Sequence, residues 1–363
     1  MRILFYLCHP AHFHLFKNVI SNLKVNHEVL VTTKTKDVLS NLLDDSEIEY
    51  INLIKKERKD SFYAMIRDIF IRNFKHISLA NNFKPDLFVS SSAEFSPFAL
   101  LFKIPFINII EDDPVQFPKY ANLFYPFVTK IIAPSSCNTG KWKSKTVHYY
   151  GNQELAYLHP NYFTPNFENV KNLLRKNKKN VLFRFSKLAA WHDNKAKGIT
   201  NKLTLKLINN LENNCNIYIN SEKKLLPELE RYRIKITPRY MHDFLAFCDL
   251  LICDSQTMTA EAAVLGTPSI RFNDFVGKLG YLEELEHEYN LTYGIRTNNP
   301  NLLLSKAVEL ANTNHLKEKW KKKSEKFLND KIDVTGFITW YLEKYPLSTE
   351  IYFNNNDIQN NFK

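Results

Sequence analysis

Short apolar runs recur along this chain, and most are followed by a stretch in which apolar residues return every three or four positions. That alternation predicts strands feeding amphipathic helices, the pattern of a doubly wound parallel sheet. In the first half the runs fall at Ile3–Cys8, Glu28–Thr32, Ile48–Leu53, Leu87–Ser90, Phe106–Ile110 and Lys130–Ala133. The clearest helices between them are Phe13–Leu23 and Ser61–Asn82. A break comes at Tyr149-Tyr150-Gly151, after which Pro160 and Pro165 punctuate a polar, aromatic connection. The pattern then restarts with a strand at Val181–Phe185, a helix at Ile199–Leu211 and a strand at Asn216–Ile219. A short helix at Met241–Phe247 enters the strand Leu250–Cys253, and the helix Thr259–Leu265 leads to the strand Ser269–Phe272. The expected organisation is a first Rossmann-like domain over 1–150 and a second over 151–332. A helix over 333–347 would return toward the first domain, and a frayed tail would cover 348–363.

The length of 363 residues suits two such domains, and 44% apolar with 13% aromatic residues is a globular composition. Charge changes the picture more. A formal net charge of +11 means a field that attracts phosphates, acidic polymers or anionic headgroups. The basic residues are scattered and carry no nucleic-acid-binding signature, so nucleic acid is not expected as a partner. The five cysteines (Cys8, Cys137, Cys215, Cys248, Cys253) have no CxxC spacing, which argues against a disulfide framework or a cysteine zinc site and for a reducing cytoplasm. The longest apolar stretch, Phe95 to Ile110, is interrupted by Pro97, Lys103 and Pro105, and no membrane span is expected. The lysine cluster at Lys317, Lys319, Lys321, Lys322 and Lys323 reads as a solvated helix face.

Parallel sheets bind ligands outside the carboxyl ends of their strands, so chemistry is expected in the loops that follow strands. The richest is Asp254-Ser255-Gln256-Thr257-Met258-Thr259-Ala260-Glu261, which joins an apolar strand to a helix. Free amides of Ser255, Gln256 and Thr257 would suit a diphosphate, while Glu261, about one turn on, would accept both hydroxyls of a ribose. The plain alternative is an ordinary helix capped by Ser255 or Thr257. After the first strand comes His9-Pro10-Ala11-His12-Phe13-His14. Its spacing matches no metal-binding motif, and a histidine facing a ligand there suits proton transfer. Otherwise these histidines cap or orient the first helix. Glu111-Asp112-Asp113-Pro114 and Ser90-Ser91-Ser92-Ala93-Glu94 raise the same pair of readings. Glu111, Asp113 and Glu94 would act on an acceptor hydroxyl, or serve as turn and helix-start residues.

The run Ser255-Gln-Thr-Met-Thr-Ala-Glu261-Ala-Ala-Val-Leu-Gly266-Thr-Pro268 resembles the nucleotide-binding segment of GT-B enzymes. These include the lipid-II-forming N-acetylglucosaminyltransferase and the non-hydrolysing UDP-N-acetylglucosamine 2-epimerases. Over residues 1 to 345 the chain is similar to a family of GT-B-like domains described as of unknown function. The segments that carry this are Cys8-His9-Pro10-Ala11-His12-Phe13-His14-Leu15-Phe16-Lys17-Asn18, Gly151-Asn-Gln-Glu154-Leu-Ala-Tyr157-Leu-His159-Pro160 and Asp333-Val-Thr-Gly336. The resemblance implies an α/β GT-B fold, two Rossmann-like domains facing a central cleft. It further implies that Ser255, Gln256 and Thr257 face the diphosphate, that Glu261 faces the ribose, and that Arg184 clamps phosphate. His12 aligns with the histidine of the transferase's first loop, with His9 and His14 beside it. Two departures stand out: Phe185-Ser186-Lys187 replaces a glycine-rich loop, and His9, Pro10 and Ala11 replace glycines.

These features lead to the expectation of a metal-independent glycosyltransferase without a cofactor. It would move a sugar from a UDP-type nucleotide-sugar donor to a hydroxyl on a glycan or lipid-linked acceptor, in surface polysaccharide or glycolipid synthesis. The cationic surface suggests a cytoplasmic protein with a peripheral membrane contact. Two rival expectations are a 2-epimerase using the same pocket and a non-catalytic polyanion-binding protein.

Overall fold

The computed structural model describes residues 1–34, 39–54, 62–186 and 197–363. Ser61, the expected start of a helix, and Lys187 lie outside the described residues. The chain divides into two compact units, one of residues Met1–Tyr157 with Ile332–Lys363 and the other of Leu158–Lys331.

The first unit is built on a parallel sheet with the order β3-β2-β1-β4-β5-β6-β7. Its strands are β1 (Arg2–Leu7), β2 (Glu28–Thr33), β3 (Ile51–Asn52), β4 (Leu87–Ser90), β5 (Phe106–Ile109), β6 (Lys130–Pro134) and β7 (Thr146–Tyr149). Strands β1, β4 and β5 lie inside the sheet with both faces covered, which is why their sequences are unbroken apolar runs. The helix Pro10–Lys24 buries Phe13, Leu15, Phe16, Val19, Ile20 and Leu23, a stripe of helical period. It packs on the helix Val334–Glu343. Asn18 Nδ2 and Thr335 Oγ1 both donate to the carbonyl of Ala156, at 2.9 and 2.7 Å. The last residues are ordered rather than frayed, because the chain end finds partners. The Phe362 carbonyl accepts from the Asp333 amide at 2.7 Å, and the buried Gln359 side chain accepts from the Tyr150 amide at 2.9 Å.

The second unit holds a parallel sheet with the order β12-β11-β10-β8-β9. Its strands are β8 (Lys179–Phe185), β9 (Cys215–Ser221), β10 (Leu250–Cys253), β11 (Ser269–Phe272) and β12 (Thr292–Ile295). Helices Asn201–Leu211, Met241–Phe247, Gln256–Val264, Pro300–Asn312 and Leu316–Asp330 cover it. In both sheets the winding reverses beside the first strand, between β1 and β4 in one and between β8 and β10 in the other. Right-handed crossovers that leave a strand in opposite directions part their loops at that point, and ligands of such sheets bind there. Among the described residues no helix is long and apolar enough to cross a membrane.

One charged network lies inside the first unit. Arg72, on the helix Phe62–Phe83, is buried, donates to the Tyr6 hydroxyl at 2.8 Å and pairs with Glu94. His76, one turn on, meets Thr32 Oγ1 at 3.0 Å and packs edge-on against Tyr6 and Phe88. Burial and the neighbouring Arg72 charge push the His76 imidazole down to about 3. A free imidazole titrates near ~6.5, so the unfolded chain takes up this proton first. The stability from a neutral His76 is present above pH ~6.5 and lost as pH falls toward 3. Thr32 also donates to the Phe5 carbonyl, so an apolar residue at 76 strands no donor. His76→Leu is therefore expected to flatten the fall in melting temperature between pH ~6.5 and ~4, measured against wild type.

Candidate functional site

Around the switch point of the second sheet, parallel register sets three residues abreast: Cys253 is paired with Arg184 on β8 and with Arg271 on β11. Asp254 follows at once and is fully buried. One carboxylate oxygen accepts from the Ser186 amide at 2.6 Å, and the other receives Lys223 Nζ at 2.8 Å. Its backbone carbonyl accepts from Asn273 Nδ2 at 3.0 Å. The loops after β8, β9, β10 and β11 are thereby tied to one residue. Burial pushes the Asp254 carboxyl up, and the Lys223 charge opposes that shift. Gly198 is required beside it, since a Cβ there would come within 2.5 Å of Asp254 Oδ2.

The helix begins at Gln256, three residues earlier than its apolar pattern suggests, because Ser255 adopts extended dihedrals and caps it. Ser255 Oγ accepts from the Met258 amide at 3.3 Å, so that donor is satisfied internally. The Gln256 and Thr257 amides precede the first intrahelical bond and meet no acceptor among the described residues. Both residues are half-buried, and their side chains meet no hydrogen-bond partner among the described residues. The exposed start of this helix is thus two amides at the positive end of a helix dipole, an arrangement that takes an anion.

Glu261 lies one turn further on and is buried. Its Oε1 is 2.9 Å from Nε2 of His242, on the helix Met241–Phe247, whose ring packs edge-on against Phe163. The carboxylate is held by a fixed partner rather than left to rotate. Arg184 pairs with Asn220 and Glu222, at the end of β9 and just after it. Arg271 is fully buried, with Nη2 3.4 Å from Glu283 Oε1 and 3.9 Å from Glu286 Oε2. Its Nε and Nη1 meet no acceptor among the described residues. Sequence reading missed His242, Asn273 and Arg271. Only Arg271 left a visible trace, a charge inside the apolar run Ser269–Phe272.

In the first unit the switch point brings together part of the expected set. His12 turns Nδ1 back to Cys8, 3.4 Å from its amide and 3.7 Å from its thiol. Glu94 is held separately, by Arg72, which also donates to the Tyr6 hydroxyl. His9 caps the first helix, accepting from the Ala11 amide at 3.2 Å. His14 packs against Tyr157 with ring centroids 5.0 Å apart. Glu111 Oε1 accepts from the Gln153 amide at 2.9 Å, and the buried Asp113 accepts from the Asn138 amide, the bond of a loop anchor. Among the described residues no group of three or more His, Cys, Asp or Glu side chains is disposed to hold a metal ion.

Two parallel Rossmann-like sheets, each with its polar residues at the switch point, define a GT-B protein, and solved structures share this fold. The UDP-GlcNAc 2-epimerase of Neisseria meningitidis bound to UDP-GlcNAc aligns at a TM-score of 0.56 and 15% identity, covering 91% of this chain and 99% of that one. The glycotransferase of kitacinnamycin aligns at 0.62 and 11%, covering 94% and 98%. The calicheamicin glycosyltransferase aligns at 0.60 and 12%, covering 95% and 99%. At such identities the likeness is one of fold. By sequence the chain belongs to the family described as "Protein of unknown function (DUF354)", which matches residues 1–333. No curated protein matches it.

The His242–Glu261 pair is open to a direct test. His242→Ala removes a donor from a buried carboxylate and is expected to cost about 1–3 kcal/mol in denaturant unfolding. Because each residue serves the other, the cost of His242→Ala with Glu261→Ala together should be well below the sum of the two single costs.

Proposed function

We propose that this protein is a nucleotide-sugar enzyme, a glycosyltransferase that moves a sugar from a UDP-type donor to a hydroxyl acceptor. The observation that carries the reading is the pair of open amides at Gln256 and Thr257, one turn before the oriented carboxylate of Glu261. A diphosphate on the amides would set its ribose toward Glu261. GT-B relatives of known activity that handle UDP-sugars or transfer sugars support the same reading.

In this scheme the acceptor oxygen attacks the anomeric carbon while the bond from that carbon to the diphosphate oxygen breaks. The leaving diphosphate keeps the electron pair, and the helix end stabilises its growing charge. The acceptor proton passes to a base, for which His12 and Glu94 are the candidates. A second reading is 2-epimerisation of a UDP-sugar, favoured by the number of epimerases among proteins of this fold.

A screen of nucleoside diphosphates and their sugars by thermal shift tests the binding claim. UDP at about a hundred times its Kd should add ~2.7 kcal/mol to folded-state stability, and Glu261→Gln should weaken that binding at least about tenfold. If no nucleoside diphosphate raises the melting temperature, the proposal fails. Incubation with UDP-N-acetylglucosamine alone divides the two reactions: appearance of the manno epimer would favour epimerisation. His12→Gln or Glu94→Gln, whichever removes the base, should lower kcat about 10²–10⁴-fold while leaving UDP affinity intact.

A further inference from the structure

The amino-terminal ends of β5, β6 and β7 present a second surface, at the opposite edge of the first sheet from the switch point. Leu100, Leu101 and Phe102 close the helix Ser96–Leu101 just before β5, with Leu101 73% exposed. That helix packs on the turn Tyr125–Phe127, which ends just before β6 at Phe127, 37% exposed. The starts of the two strands are joined by Thr129, whose amide donates to the Phe106 carbonyl and whose hydroxyl accepts from the Phe106 amide. Phe353 continues the apolar surface, 51% exposed, with Lys130 Nζ 4.9 Å from its ring centroid.

Lysines border this surface. Lys103 follows Phe102 and is exposed, and Lys130 opens β6. Lys145 donates to the carbonyls of Tyr125 and Val128 at 3.0 and 2.9 Å, and Lys141 and Lys145 both flank the Trp142 ring. From Phe95 to Tyr150 the sequence has six lysines and three acids, and those acids, Glu111 to Asp113, follow β5 at its other end. Of the acids near this edge, Asp86 accepts from the Arg2 amide and Glu343 meets His27, while exposed Glu28 opens β2 and exposed Glu350 precedes Phe353 on its helix.

We propose that this edge of the first unit docks on an anionic lipid bilayer. Exposed leucines and phenylalanines enter the headgroup boundary while lysines on long stems reach the phosphates, and Trp142 suits the same depth. A second copy of the chain is a poorer occupant, because a two-fold contact would set this lysine border against itself. The inference does not depend on the nucleotide reading.

Sedimentation with vesicles of phosphatidylcholine, with and without phosphatidylglycerol, tests it. The full chain should pellet with the anionic vesicles at low salt, less at high salt, and little with phosphatidylcholine alone. Leu100→Glu with Leu101→Glu alters the two most exposed of these positions, 58% and 73% exposed, so it should keep the wild-type melting temperature and lose binding at least about tenfold. Unchanged binding by that variant, or equal binding to both vesicles, overturns the proposal. So does the absence of vesicle binding together with a concentration-dependent dimer that the variant dissolves, which would make a second copy the occupant.

Discussion

Much of the second unit's functional edge hangs on a single buried carboxylate. Asp254 sits where β10 ends, and three loops reach it through four residues: Ser186 by its amide, Lys223 by its ammonium, Asn273 by its side-chain amide and Gly198 by the absence of a side chain. A charge out of water is expensive unless several donors surround it, and those donors must then hold their positions. Desolvation thus fixes the backbone path that presents the start of the helix Gln256–Val264. Ser255 satisfies one amide of that helix, leaving the next two outward.

The first unit reaches a comparable arrangement by other means. Its switch point is organised around Arg72, which reaches from a helix to Tyr6 and Glu94 and is itself buried. One guanidinium with a fixed fork of donors can orient a phenol and a carboxylate at once. Glu111 and Asp113, on the loop after β5, accept from the Gln153 and Asn138 amides.

The fold was legible in the sequence wherever burial on both sheet faces made a strand continuously apolar, as in β1, β4, β5 and β10. Two edge strands escaped, β7 with Thr-Val-His-Tyr and β12 with Thr-Tyr-Gly-Ile, because polar residues and a glycine dilute the run. The start of the helix Gln256–Val264 was misplaced because Gln256 and Thr257 break its apolar period, while the capping role of Ser255 depends on a backbone angle. Ser255, Gln256, Thr257 and Glu261 stood out in the sequence because they lie within one turn or two and their spacing has a local meaning. His242 and Asn273 were not, since each acts through a partner about 19 residues away in sequence. Nothing in a one-dimensional pattern announces such a pairing.

The closing residues carry a consequence for how this molecule can be dissected. Ile332–Lys363 belong to the unit formed by the opening 157 residues, so the other unit is an uninterrupted insert from Leu158 to Lys331. The insert can be excised as one piece of gene. Its host cannot be made by stopping early, since that would strip Thr335 from Ala156 and Gln359 from Tyr150. Isolating the host requires splicing 157 directly to 332 through a short linker, a shortcut across a chain that leaves a body and later returns to finish it.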